Sequence, residues 1–430
     1  MGTRVLIAMS GGVDSSVTAY LLSSAGYDCV GVTMRLYDAE TSGRDPARAC
    51  GNLADIEDAR AVARRLGIPF TVLDCRDAFE RDVIEAFCRA YELGTTPNPC
   101  AICNQRIKFG ALLAHARELG CEYLATGHYA RVAQLESGSF ALMKAVDRTK
   151  DQSYFLYGLT QEELAHVLFP LGGLTKQGDV RRIAREHGFE NAAKRDSQGI
   201  CFVPDNDFAT FIERRRGQAL PDGDIVDRNG SVLGTHHGAI RYTVGQRKGL
   251  GVAAARPLYV TGIDARANTV TLGDEADLMS GALIADSWTW SAPAPDTEAR
   301  LDAAPLRAAA RIRYHQADQA VRVRRALPPA MRGGACARPR GGAPHRFRRA
   351  PARRRARAGG RALRRGRRAR RRAHPLRGGR LGPGPLAVYE HEEERQEVER
   401  CAHRDRAQRE QVDEQLPKIA PTTKQRITPK

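Results

Sequence analysis

The sequence of 430 residues lacks any run of about 18 apolar residues, the length that a membrane-spanning helix needs. It also lacks a secretory signal at its start, since residues 1–4 lead directly into a predicted strand with no cleavage site. We therefore expect a cytoplasmic protein with no membrane partner. Its ten cysteines are irregularly spaced, which in a reducing compartment favours catalytic, metal-binding or buried thiols over a disulfide framework.

Net positive charge is missing from most of the chain, although the formal net charge is +18. Residues 321–380 contain 23 arginines and no lysine, aspartate or glutamate. Removing those 23 charges from +18 leaves −5 for the other 370 of the 430 residues. The overall charge therefore gives no argument for a nucleic-acid surface over the whole body, and we expect any such contact there to come from local patches.

Residues 1–130 alternate between strand patterns and helix patterns. The predicted strands are 5–9, 29–36, 70–73 and 122–126, and the predicted helices are 15–25, 56–66, 80–91 and 107–119. Strands separated by helix-length segments predict an α/β fold with a doubly wound parallel sheet. Ligands of such sheets lie beyond the carboxyl ends of the strands, where we place Ser10, Met34, Asp74 and Gly127.

The rest of the chain divides by composition. We expect one domain over 1–205, a small central domain over 206–285, and the start of a C-terminal β-barrel over 286–323 with a strand at 309–314. Residues 324–385 are an Arg-rich, low-complexity segment that interrupts this barrel, and 386–430 are expected to form a charged helix or tail. GC-rich DNA read out of frame would give such an Arg, Ala, Gly and Pro string. An evolved basic tail is the other interpretation.

The loop Ser10-Gly-Gly-Val-Asp-Ser15 directly follows the first predicted strand and opens a helix. Its two glycines let an anion approach backbone N–H groups at the helix N-terminus. Ser15 can bond phosphate, and Asp14 can hold Mg²⁺. The spacing and lysine of a Walker A loop are absent. The segment resembles the PP-loop of N-type ATP pyrophosphatases, which cleave ATP to AMP and pyrophosphate; the simpler interpretation is a plain strand-to-helix turn.

Cys100 and Cys103 form a CxxC pair in a loop rich in Pro and Asn, and Cys201 lies far away in sequence. We expect Cys103 near the N-terminus of the helix predicted from Ile107, a position that lowers a thiol pKa. A CxxC is typical of a redox pair or of half a zinc site, but the chain has no second CxxC and no HxxxH. Buried filler is the expectation for three other cysteines, Cys29, Cys75 and Cys121.

Six motifs occur together in one order. They are SGGVDSS at 10–16, NPCAICNQRIKF at 98–109, TGHY at 126–129, KDQSYFL at 150–156, DSQGICF at 196–202 and YTVGQRKGL at 242–250. As a set they resemble the MnmA family, the tRNA-specific 2-thiouridylases, over residues 3–323. The resemblance implies a PP-loop catalytic domain over 1–205 and a tRNA-binding central domain over 206–285.

The resemblance also implies a reaction. ATP adenylates the 2-oxygen of the wobble uridine, and sulfur then replaces AMP to form 2-thiouridine. Cys201 would carry a persulfide received from a sulfur-donor protein or desulfurase, and Cys103 would release the sulfur and close a transient disulfide with Cys201. The implied partners are glutamine, lysine and glutamate tRNAs, and the implied state is a monomer.

Binding residues follow from the same motif positions. ATP, with Mg²⁺, would contact Ala8, Met9, Ser10, Gly11, Gly12, Val13, Asp14, Ser15, Met34 and Gly127. The target base would lie against Asn98, Pro99 and Cys100, and the tRNA against His128, Lys150, Asp151, Gln152, Arg313 and Tyr314.

The chain departs from the family pattern at two places. Cys100 stands where many members have Asp, so Cys100, Cys103 and Cys201 together could instead ligate a 4Fe–4S cluster with one open iron. The PGQ turn of the family barrel is missing, and only residues 384–389 are similar to the residues near it. Two rival functions stay open: another AMP-forming PP-loop ligase, or an ATP- and tRNA-binding protein impaired by its altered C-terminus.

Overall fold

The computed structural model describes residues 2–38, 53–194, 196, 199–203, 206–293, 297–325 and 386–389. These residues form two compact units. The first unit contains the chain up to Met279 and a return segment that starts at Thr289. The second contains Ser280–Trp288 and the described residues from Thr297 onward. No helix within the described ranges is long and apolar enough to cross a membrane.

A five-stranded parallel sheet lies at the centre of the first unit. Its strands are β1 (Arg4–Ala8), β2 (Asp28–Arg35), β3 (Phe70–Asp74), β4 (Tyr123–Ala125) and β7 (Val167–Leu168). Their order is β3-β2-β1-β4-β7, and every neighbouring pair is parallel. The predicted doubly wound sheet is therefore confirmed. The two-residue strand β7 was not predicted, because it is too short to give a periodic pattern.

Helices cover both faces of this sheet. They are α1 (Val13–Ser24), α2 (Leu53–Leu66), α3 (76–92), α4 (99–118), α5 (Gln161–Ala165), α6 (176–186) and α7 (Phe208–Arg216). Three of them, α3, α4 and α6, contain a π-helical stretch, at Glu80–Ile84, Asn104–Ala111 and Lys176–Val180. Short 3₁₀ turns lie at Ser153–Phe155, Pro170–Gly173, Glu190–Ala193, Ala239–Arg241 and Glu275–Leu278.

Helix α4 begins eight residues before the predicted start at Ile107. Asn98 caps it by accepting a hydrogen bond from the Ala101 N–H at 3.2 Å, and Pro99 occupies the first helical position. Both residue types are favoured there, because the cap satisfies an orphan N–H and proline has none to satisfy. The loop predicted from the Pro and Asn content of 96–104 is in fact the capped first turn of a helix.

The sheet is apolar on both faces because successive strand residues point in opposite directions. Val5 and Ile7 of β1 pack into one buried cluster with α1 and α2. Leu6 of β1 and Val32 of β2 pack into the opposite cluster with α4. Two buried layers thus hold the strand ends, and the loops that leave them, in fixed positions.

An antiparallel hairpin and a mixed sheet, in which β11 and β8 are parallel and the other pairs antiparallel, complete the first unit. The hairpin β5 (Ala130–Gln134) with β6 (Phe140–Lys144) follows β4. A four-stranded sheet in the order β10-β11-β8-β9 follows α7, with strands β8 (Asp222–Val226), β9 (Val232–His237), β10 (Tyr259–Asp264) and β11 (Thr269–Gly273). Its core includes Ile225, Val260 and Val270, all fully or almost fully buried.

The second unit is an antiparallel sheet in the order β12-β15-β14-β13. Its strands are β12 (Ala282–Ala285), β13 (Leu306–Ala310), β14 (Gln319–Arg325) and β15 (Leu386–Tyr389), and the helix α8 (Thr297–Ala303) packs on β14. Leu301 of α8 and Val323 of β14 are buried. Arg325 pairs with Leu386, so the strands on either side of the Arg-rich segment are direct neighbours.

Two predictions in this part are wrong. The strand expected at 309–314 ends at Ala310, and Arg313 and Tyr314 lie in the connection to β14. Residues 386–389, expected in a helix or tail, form β15, because a Leu-Ala-Val-Tyr segment supplies a short strand that pairs on both sides. Residues 326–385 and 390–430, and with them most of the predicted Arg-rich segment and tail, lie outside the described residues.

Candidate ATP and thiol site

The loop after β1 keeps its shape through serine side chains. The Ser15 hydroxyl accepts a hydrogen bond from the Ser10 N–H at 3.1 Å and donates to the Gly12 carbonyl at 2.9 Å. The Ser16 hydroxyl donates to the same carbonyl at 3.1 Å. Helix α1 then begins at Val13 with no side chain capping its N-terminus. The N–H groups of its first turn are therefore available to an anion such as a phosphate.

Two glycines allow close backbone approach around this loop. Gly11 has φ +71°, and a Cβ there would lie 2.3 Å from the Asp55 carbonyl oxygen. Gly127, just after β4, would place a Cβ about 3.0 Å from the backbone of Asp14. Two of the three predicted ATP-site glycines thus occupy positions where a side chain would move the loop.

Asp14, the predicted Mg²⁺ ligand, already contacts a cation. Both of its carboxylate oxygens accept hydrogen bonds from the Lys176 Nζ at 2.7 Å, and the Tyr129 hydroxyl donates to one of them at 2.7 Å. Lys176 is only 1 % exposed. A carboxylate beside a phosphate-binding turn is the kind of oxygen ligand that Mg²⁺ prefers, and the ammonium shows that this position stabilises a positive charge. The residue therefore fits the metal.

Asp196 forms the second anionic centre of the site. Its carboxylate lies 2.8 Å from the Lys150 Nζ, 3.0 Å from the Lys176 Nζ and 3.2 Å from the Arg181 guanidinium. Burial alone would raise the pKa of Asp196, but hydrogen bonds from Lys150 and Lys176 outweigh it and hold that pKa below its usual value. The carboxylate therefore stays ionised at neutral pH.

Side chains of the 3₁₀ turn Glu190–Ala193 and of Lys194 after it contact the phosphate loop and the start of α2. The Asn191 amide donates to the Gly11 carbonyl at 3.0 Å and to the Ser16 hydroxyl at 2.9 Å. The Lys194 Nζ binds Asp55 at 2.6 Å and Asp58 at 2.7 Å. Sequence reasoning missed these contacts, since they join residues more than 130 positions apart and no local pattern marks them.

Cys100 and Cys103 occupy different environments on α4. Cys100 is in the first turn and exposed, whereas Cys103 is in the second turn and buried. Burial raises the pKa of the Cys103 thiol, the Cys100 thiol adds to that shift, and Lys108 opposes it. The expectation of a lowered pKa at a helix N-terminus is therefore wrong for Cys103, because the helix starts earlier and the thiol lies within the apolar core.

Cys103 and Cys201 belong to the same apolar cluster. Cys103 is a buried member, half-buried Cys201 packs against it, and Phe202 is at its centre. The cluster also includes Met34 at the end of β2 and Cys75 just after β3. The two predicted sulfur-handling residues, 98 positions apart, thus share one apolar cluster that also contains residues at the carboxyl ends of β2 and β3.

The three cysteines that were predicted to be buried filler are buried in the structure. Cys29, Cys75 and Cys121 are each at most 5 % exposed, and burial raises the pKa of Cys29 and Cys75 to about 11. In the part of the chain that the structure describes, which includes Cys100, Cys103 and Cys201, no group of three or more His, Cys, Asp or Glu side chains is placed to hold a metal. The iron–sulfur hypothesis is therefore not supported.

Four predicted tRNA contacts, His128 and Lys150–Gln152, belong to the first unit. Lys150 binds Asp196, the Asp151 carboxylate accepts from the Ala145 N–H at 2.9 Å, and the Gln152 side chain accepts from the Tyr129 N–H at 2.9 Å. His128 is half-buried, packs against Phe109 and Phe169, and is 2.7 Å from the Thr126 hydroxyl. Burial, followed by the charge of Lys108, keeps the His128 pKa well below its usual value, so this imidazole is neutral.

The predicted base contacts lie at the start of α4. Asn98 is the cap residue, Pro99 is buried, and Cys100 is exposed beside them. Asp74, also placed at this edge, is bound by Arg76, whose hydrogen bonds lower the Asp74 pKa to about 2. The remaining two predicted tRNA residues, Arg313 and Tyr314, belong to the second unit.

Taken together, the parallel sheet, the glycine loop at a helix N-terminus and the paired thiols define an ATP-dependent enzyme of the PP-loop class. Family models support this assignment: residues 3–205 match the tRNA methyl transferase HUP domain, and residues 209–274 match the tRNA methyl transferase PRC-barrel domain.

Close relatives identify the family. The chain is 52 % identical over 314 residues to a tRNA-specific 2-thiouridylase MnmA of Geotalea uraniireducens, covering 72 % of this chain and 82 % of the relative. It is 50 % identical over 315 residues to the MnmA of Geobacter metallireducens, covering 72 % and 83 %. The chain belongs to the MnmA family. A solved 4-thiouridine synthetase–RNA complex with bound ATP aligns with a TM-score of 0.28 and 16 % identity over 50 % of each chain.

Proposed function

We propose that this protein is a tRNA-uridine 2-sulfurtransferase, which adenylates the 2-oxygen of the wobble uridine and replaces that oxygen with sulfur. The proposal is carried by the position of two groups of residues, which both lie at the carboxyl ends of strands of the parallel sheet. The phosphate loop follows β1, and the cluster of Cys103 and Cys201 packs on the ends of β2 and β3. An activated oxygen and a sulfur carrier can therefore meet at one sheet edge.

The first step requires ATP to be held with its α-phosphate facing the base. The N-terminus of α1 and the loop 10–15 would bind the phosphates, and Asp14 would hold a Mg²⁺ ion that neutralises their charge. The uridine 2-oxygen attacks the α-phosphate, pyrophosphate leaves, and the N3 proton of the base is lost. Because AMP is a far better leaving group than oxide, the C2 carbon becomes open to attack by sulfur.

The second step uses the two thiols of the apolar cluster. Cys201 carries a persulfide, and the Cys103 thiolate attacks its inner sulfur, so a Cys103–Cys201 disulfide forms and hydrosulfide leaves. Hydrosulfide attacks C2, AMP departs with the oxygen, and the hydrosulfide proton moves to N3 of the base. A thiol reductant then reduces the disulfide before the next turnover. Burial of Cys103 protects its thiol from other oxidants between turnovers.

The proposed substrate rests on the family and on the residues expected to contact the base and the tRNA. Every relative compared above is named a tRNA-specific 2-thiouridylase. Asn98, Pro99 and Cys100 are proposed to contact the extruded base, because a base must leave its stack to be modified. His128, Lys150–Gln152 and Arg313 with Tyr314 are proposed to contact the tRNA, with glutamine, lysine and glutamate tRNAs as substrates and a sulfur-donor protein as partner.

The description of the matching family models as tRNA methyl transferase suggests a different product. Methyl transfer needs neither a persulfide carrier nor adenylation of the base, whereas the chain has both a phosphate loop and two cysteines in one apolar cluster, which supports the proposal. The paired thiols therefore favour thiolation over methylation.

Mass spectrometry of wobble nucleosides tests the proposal. The purified protein is incubated with unmodified tRNA, Mg·ATP, a cysteine desulfurase and cysteine, and the digested tRNA is analysed for 2-thiouridine. We expect thiolation in the wild type and a loss of at least a hundredfold in Cys103→Ser and in Cys201→Ser. Cys121→Ala is the matched control, because Cys121 is buried in a different cluster.

Three results would contradict the proposal. They are pyrophosphate release without 2-thiouridine, methylated instead of thiolated nucleoside, and full thiolation by both cysteine variants. The first result would favour a protein in which activation is separated from sulfur transfer, and the last would show that sulfur reaches the base without the Cys103 and Cys201 thiols.

A further inference from the structure

The side chain of Asn191 is 6 % exposed and lies against the phosphate loop, residues 10–15. Its amide nitrogen donates to the Gly11 carbonyl at 3.0 Å and to the Ser16 hydroxyl at 2.9 Å, so both amide hydrogens are used. Because a carbonyl can only accept, the group that faces Gly11 is the NH₂ of the amide and not its oxygen. The Lys194 Nζ, 3.4 Å from the same carbonyl, is a second and more distant donor.

The bond to the Gly11 carbonyl sets the direction of the Gly12 N–H. These two groups belong to one peptide unit, which is planar and trans, so they point in opposite directions. With the carbonyl turned toward Asn191, the Gly12 N–H is turned away from it. Within the ranges that the structure describes, no group accepts a hydrogen bond from this N–H. It is therefore available to an anion on the side of the loop opposite Asn191.

The bond to Ser16 acts on the next peptide unit in the same way. The Ser16 hydroxyl accepts from Asn191 and donates to the Gly12 carbonyl at 3.1 Å, and the Ser15 hydroxyl donates to that carbonyl at 2.9 Å. The Val13 N–H shares a trans peptide unit with this carbonyl, so it points away from it, at the uncapped start of α1. One amide group thus holds two consecutive peptide units, the first directly and the second through Ser16.

The oxygen of the Asn191 amide is buried and receives no donor among the described residues. A buried acceptor without a donor costs stability, so the contribution of this side chain lies in its two donated bonds. Asn104 on α4 has a similar environment. It is 3 % exposed, its amide nitrogen donates to the Phe155 carbonyl at 3.0 Å, and its buried oxygen likewise receives no donor in the described ranges. Asn104 is therefore a close match for Asn191 that contacts a different segment.

We propose that Asn191 is a positioning residue for ATP, because it orients the Gly12 and Val13 N–H groups toward the nucleotide phosphates. The two N–H groups contact the phosphates, and Asn191 acts through them without touching the nucleotide. Without the Asn191 amide, the Gly11 carbonyl keeps only Lys194 at 3.4 Å among the described residues, and its peptide unit is then free to rotate. This inference rests on the proposed function for the binding of ATP at this loop, but its test needs neither tRNA nor a sulfur donor.

The test compares a ligand that has phosphates with one that has none. Isothermal titration calorimetry measures the affinity for α,β-methylene ATP with Mg²⁺, and a saturation-transfer NMR titration measures the affinity for adenosine. In Asn191→Leu, which removes both donors at a similar side-chain size, we expect the ATP analogue to bind at least tenfold more weakly and adenosine to bind as in the wild type. An unchanged affinity for the analogue, or an equal loss for both ligands, would overturn the proposal.

Asn104→Leu is the matched control, and we expect it to lower the unfolding temperature about as much as Asn191→Leu while keeping the wild-type affinity for the analogue. A comparable loss of affinity in this control would attribute the effect to stability and refute the positioning role. If Asn191→Leu does not fold, Asn191→Ser decides in its place, because serine is small and polar but too short to reach both acceptors. A wild-type protein that does not bind the analogue would overturn the proposed function together with this inference. Equal binding by the wild type and the Asn191 variant would overturn this inference alone.

Discussion

Gly11→Ala is the substitution that most directly tests the phosphate loop. Gly11 has φ +71°, and placing an L-residue in that left-handed region costs roughly 1–2 kcal/mol. The new Cβ would also lie 2.3 Å from the Asp55 carbonyl oxygen, whereas real contacts are at least 3.0 Å. The loop must therefore shift by the difference, 0.7 Å, relative to α2.

A shift of that size should reduce nucleotide binding strongly. Misplacement by roughly 1 Å can cost on the order of a hundredfold in activity, so we expect Gly11→Ala to weaken ATP binding by at least tenfold. Isothermal titration calorimetry with Mg²⁺ and a non-cleavable ATP analogue measures the affinity. Thermal unfolding in parallel measures the stability cost.

Gly120→Ala is the matched control for this experiment. Gly120 has φ +70°, nearly the same as Gly11, but a Cβ there would meet no atom within 4 Å. The control therefore carries the backbone cost without the collision, and we expect an unchanged nucleotide affinity. If Gly11→Ala binds the analogue as tightly as Gly120→Ala, the loop between β1 and α1 does not hold the phosphates.

Three further predictions concern the thiols. Asn98→Ala should cost about 1 kcal/mol of stability and speed the alkylation of Cys103, because the cap of α4 is lost. Thr160→Ala, which uncaps α5 in a different buried cluster, should cost as much without changing the Cys103 rate. Because burial raises the Cys103 pKa above 9.0, the alkylation rate of Cys103 in the folded protein should still increase with pH beyond that value. Folding should become less favourable in the same pH range, since the thiol of the unfolded chain ionises first. An alkylation rate that levels off below pH 9.0 would contradict the shift. Phe202→Ala should cost roughly 3–5 kcal/mol by calorimetry and increase Cys201 labelling, whereas the equally buried Phe109→Ala should cost a similar amount and leave that labelling unchanged.

Much of the first unit could be predicted because its information is local. The run Val5–Ile7 reads as a strand, the glycines after it as a turn, and the following apolar positions as a helix, and the structure has these elements within two residues of the predicted bounds. Parallel order follows from the alternation of strands and helices, and with it the edge at which ligands bind.

Contacts between residues that are far apart in the sequence could not be predicted from it. Lys176 and Asp14 are 162 positions apart, and nothing in the residues around Lys176 marks it as buried. Tyr129 and Asp196 lie within two of the motifs that indicated the family. Asp196 forms an ion pair with this lysine, and the Tyr129 ring lies 6.0 Å from its ammonium, but both contacts are visible only in three dimensions. The Cys103 environment was predicted wrongly for the same reason, since apolar neighbours such as Phe202 come from a remote segment.

The pairing of Arg325 with Leu386 places the two ends of the long Arg-rich segment side by side in the second sheet. The 60 residues 326–385 leave the second sheet and rejoin it at adjacent positions, so for the sheet they amount to the connection of a hairpin. The energetic cost of such a connection grows only slowly with its length, by about 0.6 kcal/mol for each doubling. That junction is therefore a natural cloning site: a short turn, a reporter domain or a different basic segment can be exchanged there while β14 and β15 keep their register.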